Sequence, residues 1–207
     1  MKNGPKSRTA GRPRAFDPEA ALDAAMRVFW QRGYDGASLA ELTEAMQINR
    51  PSLYATFGDK ETLFRKAMDR YCAGPASYVE AALRQPTARA AVEAIFAGAI
   101  NLTTSPANPL GCLLIQAGTA GAEHDSMRCA MVRQRKIGLD LLQDRLERGQ
   151  REGDLSTSVD AAALARYITT VLRGLGIQAA DGDSREDLLA VARTAMQAWP
   201  GEPATTP

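Results

Sequence analysis

The chain has 207 residues, of which 45% are hydrophobic, and its formal net charge is +1. This length allows one substantial domain or two small ones with a real core, and its three scattered cysteines exclude a disulfide framework. No apolar run is long enough to span a bilayer, and the basic N-terminus lacks the apolar segment of a signal peptide, so we expect a cytoplasmic protein with no membrane partner.

Basic charge is concentrated at the start of the chain. Residues 1–70 contain 12 Lys and Arg against 9 Asp and Glu, and five of these cations precede the first acid, Asp17. Residues 1–15 are polar and interrupted by proline and glycine, which predicts a disordered basic arm. Within it, Arg12 and Arg14 flank a proline in an extended unit narrow enough for a DNA minor groove. The alternative interpretation is a solvated tail.

A first helix is predicted after this arm. Asp17 and Pro18 supply a cap and a first-turn proline, and the apolar stripe that follows ends at Gly33. We expect this helix to pack behind the segment that comes next.

Residues 38–60 have the pattern of two short helices joined by a tight turn. Ser38 stands at an N-cap position, and the apolar residues after it recur at helical spacing until Met46. Pro51 then marks the first turn of a second helix. Such a pair is a helix-turn-helix; the alternative is an ordinary helical hairpin with a polar surface.

The second helix has two faces. Leu53 and Phe57 are four residues apart and should point inward, which turns the polar residues around them outward. The outward face contains a cation and several hydroxyls but no carboxylate, which suits contact with phosphates and base edges. Its residues are Arg50, Ser52, Tyr54, Ala55 and Thr56.

A further helix is expected to begin after Asp59. Lys60 falls in its first turn, where the helix dipole disfavours a cation by roughly 0.3 to 1 kcal/mol. A phosphate bound at this helix end would reverse that effect, since the free N–H groups and Lys60 would share the same anion. This position therefore indicates a phosphate contact.

Residues 16–64, with the runs Ser-Leu-Ala-Glu-Leu-Thr and Ile-Asn-Arg-Pro-Ser-Leu-Tyr-Ala-Thr-Phe-Gly-Asp-Lys, resemble the DNA-binding domain of the TetR family of transcriptional regulators. The resemblance covers about a quarter of the chain. It implies the roles of the second helix: the DNA groove is addressed by Arg50, Ser52, Ala55 and Thr56, and phosphates are held by Tyr54 and Lys60. We include Ser38 in the DNA-binding set. Gln47 departs from the pattern, because the family usually has glycine in the turn.

The rest of the chain repeats helical patterns without a convincing strand, so the fold class is all-α, with about nine or ten helices. We expect a disordered basic arm (1–15), a helix-turn-helix domain (16–58), a connecting helix (59–72), an effector-binding and dimerisation domain (73–199) and a loose tail (200–207). The last two helices are apolar on a wide arc that suits pairing with a second copy. Their proposed interface residues are Leu164, Ile168, Val171, Leu172, Leu175, Leu188, Val191 and Met196.

No catalytic motif, nucleophile and base set, or cofactor-binding loop is recognisable, so we expect neither an enzyme nor a cofactor. His124 precedes a helix start, where capping or solvation explains it better than a metal would, so we expect no metal site. A rival interpretation remains: a helical small-molecule carrier or enzyme whose N-terminal hairpin is structural.

An effector site is expected between the middle helices, as in other helical bundles. The candidates are Phe96, Ile100, Gln116, Met131 and Tyr167, each of which is alternatively plain core. Cys112 follows Gly111 at an expected helix start, where the helix N-terminus would lower the thiol pKa. The run Gly-Cys-Leu-Leu resembles a subgroup of the family in which some members sense electrophiles or oxidants through such a cysteine; the alternative is a small buried residue.

Together these features predict a ligand-responsive transcriptional regulator. We expect a repressor that binds a near-palindromic double-stranded operator as a homodimer and is released by a small-molecule effector, or by modification of Cys112.

Overall fold

The computed structural model describes residues 16–116 and 125–200, which form ten α-helices and no strand. The all-α prediction is confirmed. The helices are α1 (Pro18–Gly36), α2 (Leu39–Ala45), α3 (Arg50–Phe57), α4 (Lys60–Ala73), α5 (Tyr78–Leu83), α6 (Ala88–Thr104), α7 (Leu113–Gln116), α8 (Asp125–Glu152), α9 (Ala161–Asp181) and α10 (Arg185–Gln197).

Side-chain caps fix the starts of the first four helices. The carboxylates of Asp17 and Asp59 accept from the N–H groups of Glu19 and Thr62, and Ser38 forms a reciprocal capping box with Glu41. The caps at Asp17, Ser38 and Asp59 were predicted from the sequence. Within α1 the helical geometry breaks at Gly33, whose φ of 70° lies in the left-handed region.

The first four helices share one core, built around aromatic side chains. The Phe29 ring meets the Phe64 ring edge to face at 4.9 Å between centroids, and Trp30 meets Tyr71 in the same way at 4.8 Å. Outside this core, the Arg70 guanidinium donates two hydrogen bonds, of 2.7 and 2.9 Å, to the Asp23 carboxylate. α4 is therefore fixed against α1, as expected for a helix that supports the DNA-binding pair.

A second core joins α5, α6, α8, α9 and α10. In it, the Arg145 side chain of α8 is only 2% exposed. Its Nη2 donates to the Gln85 carbonyl and lies 3.7 Å from the Asp154 carboxylate. Asp154 also accepts the Ala88 N–H on both oxygens, at 3.1 Å each, and so caps α6. Burial lowers the pKa of Arg145 from its usual value.

The two cores are connected by residues around α7. The Trp30 indole donates to the Gly111 carbonyl at 3.0 Å, and Arg27 donates to the Ala107 carbonyl at 2.9 Å. Side chains from beyond α4 complete the first core, namely Leu102, Leu113, Met127, Ala130 and Met131. The predicted helix-turn-helix and the helices packed against it thus rest on the segment that leads into the second half of the chain.

Several residues predicted to form a dimer interface lie in the core of a single chain. Ile168, Leu175 and Leu188 are fully buried, and Leu164, Val171, Leu172 and Met196 pack against the same core. Val191 is exposed. Over the described residues, no helix is both long and apolar enough to cross a membrane.

Candidate DNA-binding site

The turn between α2 and α3 closes with a left-handed residue. The N–H of Gln47 bonds to the Glu44 carbonyl and that of Ile48 to the Thr43 carbonyl, which is the Schellman pattern of a helix end. Gln47 has φ 54°, the one positive φ found at a non-glycine residue in the described ranges. Gln47, which stands where the family usually has glycine, therefore still adopts the left-handed conformation of the turn, but at the cost of backbone strain.

Replacement of Gln47 by glycine is expected to raise the free energy of unfolding by about 0.5 to 1 kcal/mol, because relief of left-handed strain outweighs the larger entropy of glycine in the unfolded chain. The matched control is Gln31→Gly in the regular part of α1, which should cost about 1 kcal/mol. Chemical denaturation measures both. Equal losses for the two variants would contradict strain at Gln47.

α3 presents the face that the sequence predicts. The side-chain oxygen of Asn49 accepts a hydrogen bond from the Ser52 N–H at 2.9 Å and so caps α3. This cap was not identified from the sequence, although asparagine before Arg-Pro is a helix-start signal. Leu53 is fully buried, which confirms its inward orientation, and Tyr54 is 50% exposed. Arg50 and Ala55 are exposed, whereas Ser52 and Thr56 are half-buried. Among the described residues, no carboxylate forms an ion pair with Arg50.

Lys60 has a partner that the sequence did not indicate. Its Nζ lies 4.5 Å from the centroid of the Tyr34 ring, and burial lowers the pKa of the ammonium. A cation over an aromatic face is favourable, so this contact offsets the unfavourable helix dipole. Lys60 is half-buried at the start of α4, which follows α3 in the chain, and its predicted contact with a phosphate stays a prediction.

Three sequence-predicted residues lie outside the described ranges: Arg12 and Arg14 of the basic arm, and His124. Ser38 is exposed at the start of α2, but its hydroxyl oxygen accepts the Glu41 N–H. Its established contact is thus the capping box.

A cavity of about 180 Å³ lies in the second half of the chain, between α5, α6, α8 and α9, with α7 at one side. Its wall is mostly apolar and includes Ile95, Leu139, Leu142 and Leu172. Cavities of this kind between helices are the usual sites of small ligands. We call it the α7 cavity.

The five effector candidates do not meet in the α7 cavity. Phe96 and Ile100 line a separate groove between α6 and α10, and Met131 is buried in the first core. Tyr167 is exposed on α9, and its hydroxyl is 3.5 Å from the Ala195 carbonyl. The side chain of Gln116 is outside the described part of the structure.

Cys112, by contrast, lines the α7 cavity. Its Sγ accepts a hydrogen bond from the Tyr71 hydroxyl at 3.4 Å, which ties it to α4. Burial raises the pKa of the thiol above its usual value, although Tyr71 and the backbone N–H groups at the start of α7 act in the opposite direction. The expected lowering by the helix end is thus outweighed, because the short α7 lies in an apolar environment.

This geometry defines a class of protein. A helix-turn-helix with a carboxylate-free outer face, resting on a helical domain that contains a partly open apolar cavity, is the architecture of a DNA-binding regulator. Residues 21–67 match the family model described as bacterial regulatory proteins, tetR family, and residues 86–196 match that of the tetracyclin repressor-like C-terminal domain. The chain belongs to the TetR family of transcriptional regulators.

Known proteins are similar over nearly the whole chain. The transcriptional repressors ComR and BdcR of Escherichia coli are 35% and 32% identical to it, each over 196 residues that cover 93% of this chain and 93% and 94% of theirs. The TetR family regulator CifR, solved as a cysteine mutant with 26-base-pair operator DNA, is 46% identical with a TM-score of 0.89. That match covers 91% of this chain and 100% of CifR.

Proposed function

We propose that this regulator is a homodimeric repressor that binds a near-palindromic operator through α3 and is released when a small molecule enters the α7 cavity. The observation that carries the proposal is the exposed face of α3, with Arg50, Tyr54 and Ala55 turned outward over the buried Leu53. Repression is supported by the names of the relatives ComR and BdcR.

The decisive experiment is footprinting of the purified chain on the DNA that flanks its encoding gene. We expect protection of two half-sites about 34 to 36 Å apart, which is one helical turn. Addition of an effector should abolish the protection. Protection of a single half-site, or none, would contradict the proposal.

A route from the cavity to α3 supports the ligand response. α7 borders the cavity and contacts both α1 and α4. The Trp30 and Arg27 hydrogen bonds fasten α1 to the loop before α7. A ligand that shifts α7 therefore acts on the helices that hold α3, and a typical coupling of about 1 to 3 kcal/mol would weaken operator binding roughly 5- to 150-fold.

Dimer formation is proposed through the outer face of α9 and α10. Tyr167, Gly174 and Ile177 follow one another at helical spacing on α9, and Val191 on α10 is also exposed. Apart from the backbone of α9 itself and the two chain neighbours, no heavy atom of the described residues lies within 4 Å of the position that a Cβ on Gly174 would occupy, so a partner helix has room to approach closely. For the interface we therefore propose the outer residues Tyr167, Gly174, Ile177 and Val191. They replace the sequence-predicted residues that lie in the chain's own core, and Val191 belongs to both sets.

The variant Ile177→Glu is expected to dissociate the dimer, because the new carboxylate would be buried against the partner without a counter-charge. Val132→Glu is the matched control, since Val132 on α8 is 50% exposed and Ile177 is 52% exposed. Sedimentation analysis measures the mass of each. A monomer from Val132→Glu with a dimer from Ile177→Glu would move the interface to α8.

A second candidate switch is covalent modification of Cys112, which is favoured by its place in the cavity wall and its contact with Tyr71. Since burial raises the pKa of this thiol, we expect slow reaction until the electrophile itself occupies the cavity. Release from DNA by diamide or a quinone should be lost in Cys112→Ser and kept in Cys129→Ser, whose cysteine is exposed. Unchanged release in Cys112→Ser would rule out the switch.

A further inference from the structure

The α7 cavity has an uneven distribution of charge. Two arginines, Arg135 of α8 and Arg173 of α9, belong to its wall, and among the residues that the structure describes no aspartate or glutamate does. The remainder of the wall is apolar except for a few hydroxyl and thiol groups. A ligand therefore meets positive charge at one part of the cavity and hydrocarbon elsewhere.

Of the three hydroxyl groups in the described wall, those of Thr103 and Thr169 are already engaged, and burial raises the pKa of the third, Tyr78, which therefore stays neutral. Thr103 donates its hydroxyl hydrogen to the Ala99 carbonyl one turn earlier, and Thr169 donates to the Ala165 carbonyl in the same way. The Cys112 sulfur accepts from Tyr71. In the described part of the wall, the charged donors are thus the two guanidinium groups.

Neither guanidinium has a carboxylate partner in the described part of the chain. Arg135 is half-buried and uses Nη1 to donate to the Leu114 carbonyl at 3.1 Å, while Arg173 is exposed at the edge of the cavity. Burial, and then the positive charge of Arg173, lowers the pKa of Arg135. Two cations beside an apolar space repel each other, and an anion between them would remove that cost.

We propose that the effector of this cavity is an amphipathic carboxylate, bound with its head group between Arg135 and Arg173 and its apolar part along Leu139, Leu142 and Leu172. This inference rests on the proposed function, which makes the α7 cavity the effector site. A cavity of about 150 Å³ holds benzene, so one of about 180 Å³ suits an apolar part of roughly seven non-hydrogen atoms, with the carboxylate at the edge where Arg173 is exposed. A medium-chain fatty acid or an aryl-substituted acid has these two parts.

Binding of such an anion also explains how the signal starts. The carboxylate competes with the Leu114 carbonyl for the donors of Arg135, and Leu114 is part of α7. Because α7 contacts α1 and α4, loss of this bond frees the segment that supports the DNA-binding helices. Arg135 would therefore both bind the carboxylate and pass the change to α7, which contacts the helices that hold α3.

The test is calorimetric titration of the full-length chain with octanoate and with octanamide, which has the same size and no charge. The wild-type chain should bind octanoate about tenfold or more tightly than octanamide, since the charge-assisted hydrogen bonds are available only to the carboxylate. In Arg173→Gln and Arg135→Gln this preference should disappear while octanamide still binds. Arg166→Gln, an exposed arginine of α9 outside the cavity wall, should keep it.

Octanamide binding by the arginine variants shows that their cavity is intact, so a lost preference cannot come from misfolding. Equal affinity of the wild-type chain for both compounds, or binding of neither, overturns the inference. A parallel gel-shift assay separates the two proposals. If octanoate binds in the cavity without releasing operator DNA, the ligand class is supported but the effector role is contradicted. If only a neutral compound releases the DNA, the effector role is supported but the carboxylate class is contradicted.

Discussion

Replacement of Asp154 by alanine is expected to lower the free energy of unfolding by about 3 kcal/mol, because it leaves Arg145 charged and almost fully buried without its ion-pair partner. The Ala88 N–H at the start of α6 loses its acceptor in the same variant. The Nε and Nη1 atoms of Arg145 have no hydrogen-bond partner among the described residues even in the native chain, which leaves little to compensate. Thermal unfolding at fixed protein concentration should show a fall of roughly 6 to 12 °C.

Asp140→Ala is the control for this prediction. Asp140 pairs with Lys136 at 2.7 Å on the surface of α8, with both side chains more than half exposed, and such pairs contribute about 0 to 1 kcal/mol. The double variant Asp154→Ala with Arg145→Met should recover part of the lost stability, since the unpaired charge is gone. A similar small effect for Asp154→Ala and Asp140→Ala would contradict a structural role of the buried pair.

Arg50→Ala should have the largest effect on sequence recognition. A guanidinium that reads a base in the major groove is worth about 1 to 3 kcal/mol of discrimination, so each half-site should lose roughly 5- to 150-fold in specific affinity. Binding to an unrelated duplex should change little. Fluorescence anisotropy with the operator and with a scrambled duplex of equal length measures the ratio of the two affinities.

Lys60→Ala provides the contrast, because a phosphate contact carries no sequence information. It should weaken binding to both duplexes alike and reduce the salt dependence by about one counterion per subunit. The melting temperature of Lys60→Ala must also be measured to detect a loss of stability, because the variant loses the contact with the Tyr34 ring. Equal loss of specific and non-specific affinity for Arg50→Ala would refute its role as a reader.

The orientation of α3 was predictable because it depends on local periodicity. Leu53 and Phe57 are one turn apart and bury the same side, so the exposure of Arg50 follows from the sequence itself. The caps at Ser38 and Asp59 were predictable for the same reason. In contrast, the contact of Lys60 with Tyr34 joins two helices whose relative placement no short pattern specifies.

The effector and dimer residues were harder to predict because an apolar stripe does not reveal what covers it. On α9, Ile168 and Leu175 pack into the chain's own core, while Tyr167 and Ile177 on the other side of the helix stay exposed. The α7 cavity exists partly because some residues of its wall are small, such as Ala99 and Gly176, and leave the space unfilled. A search of the sequence for large apolar residues selects the packed regions instead.

The shared first core has a consequence for protein engineering. Trp30, Tyr71 and their neighbours share one core with Leu113, Met127 and Met131 from the second half of the chain. A hybrid sensor that fuses residues 16–73 to the ligand domain of a relative would place foreign side chains against this aromatic surface. Transplantation should therefore succeed only when residues of the donor that correspond to these three positions are changed back to those of this chain.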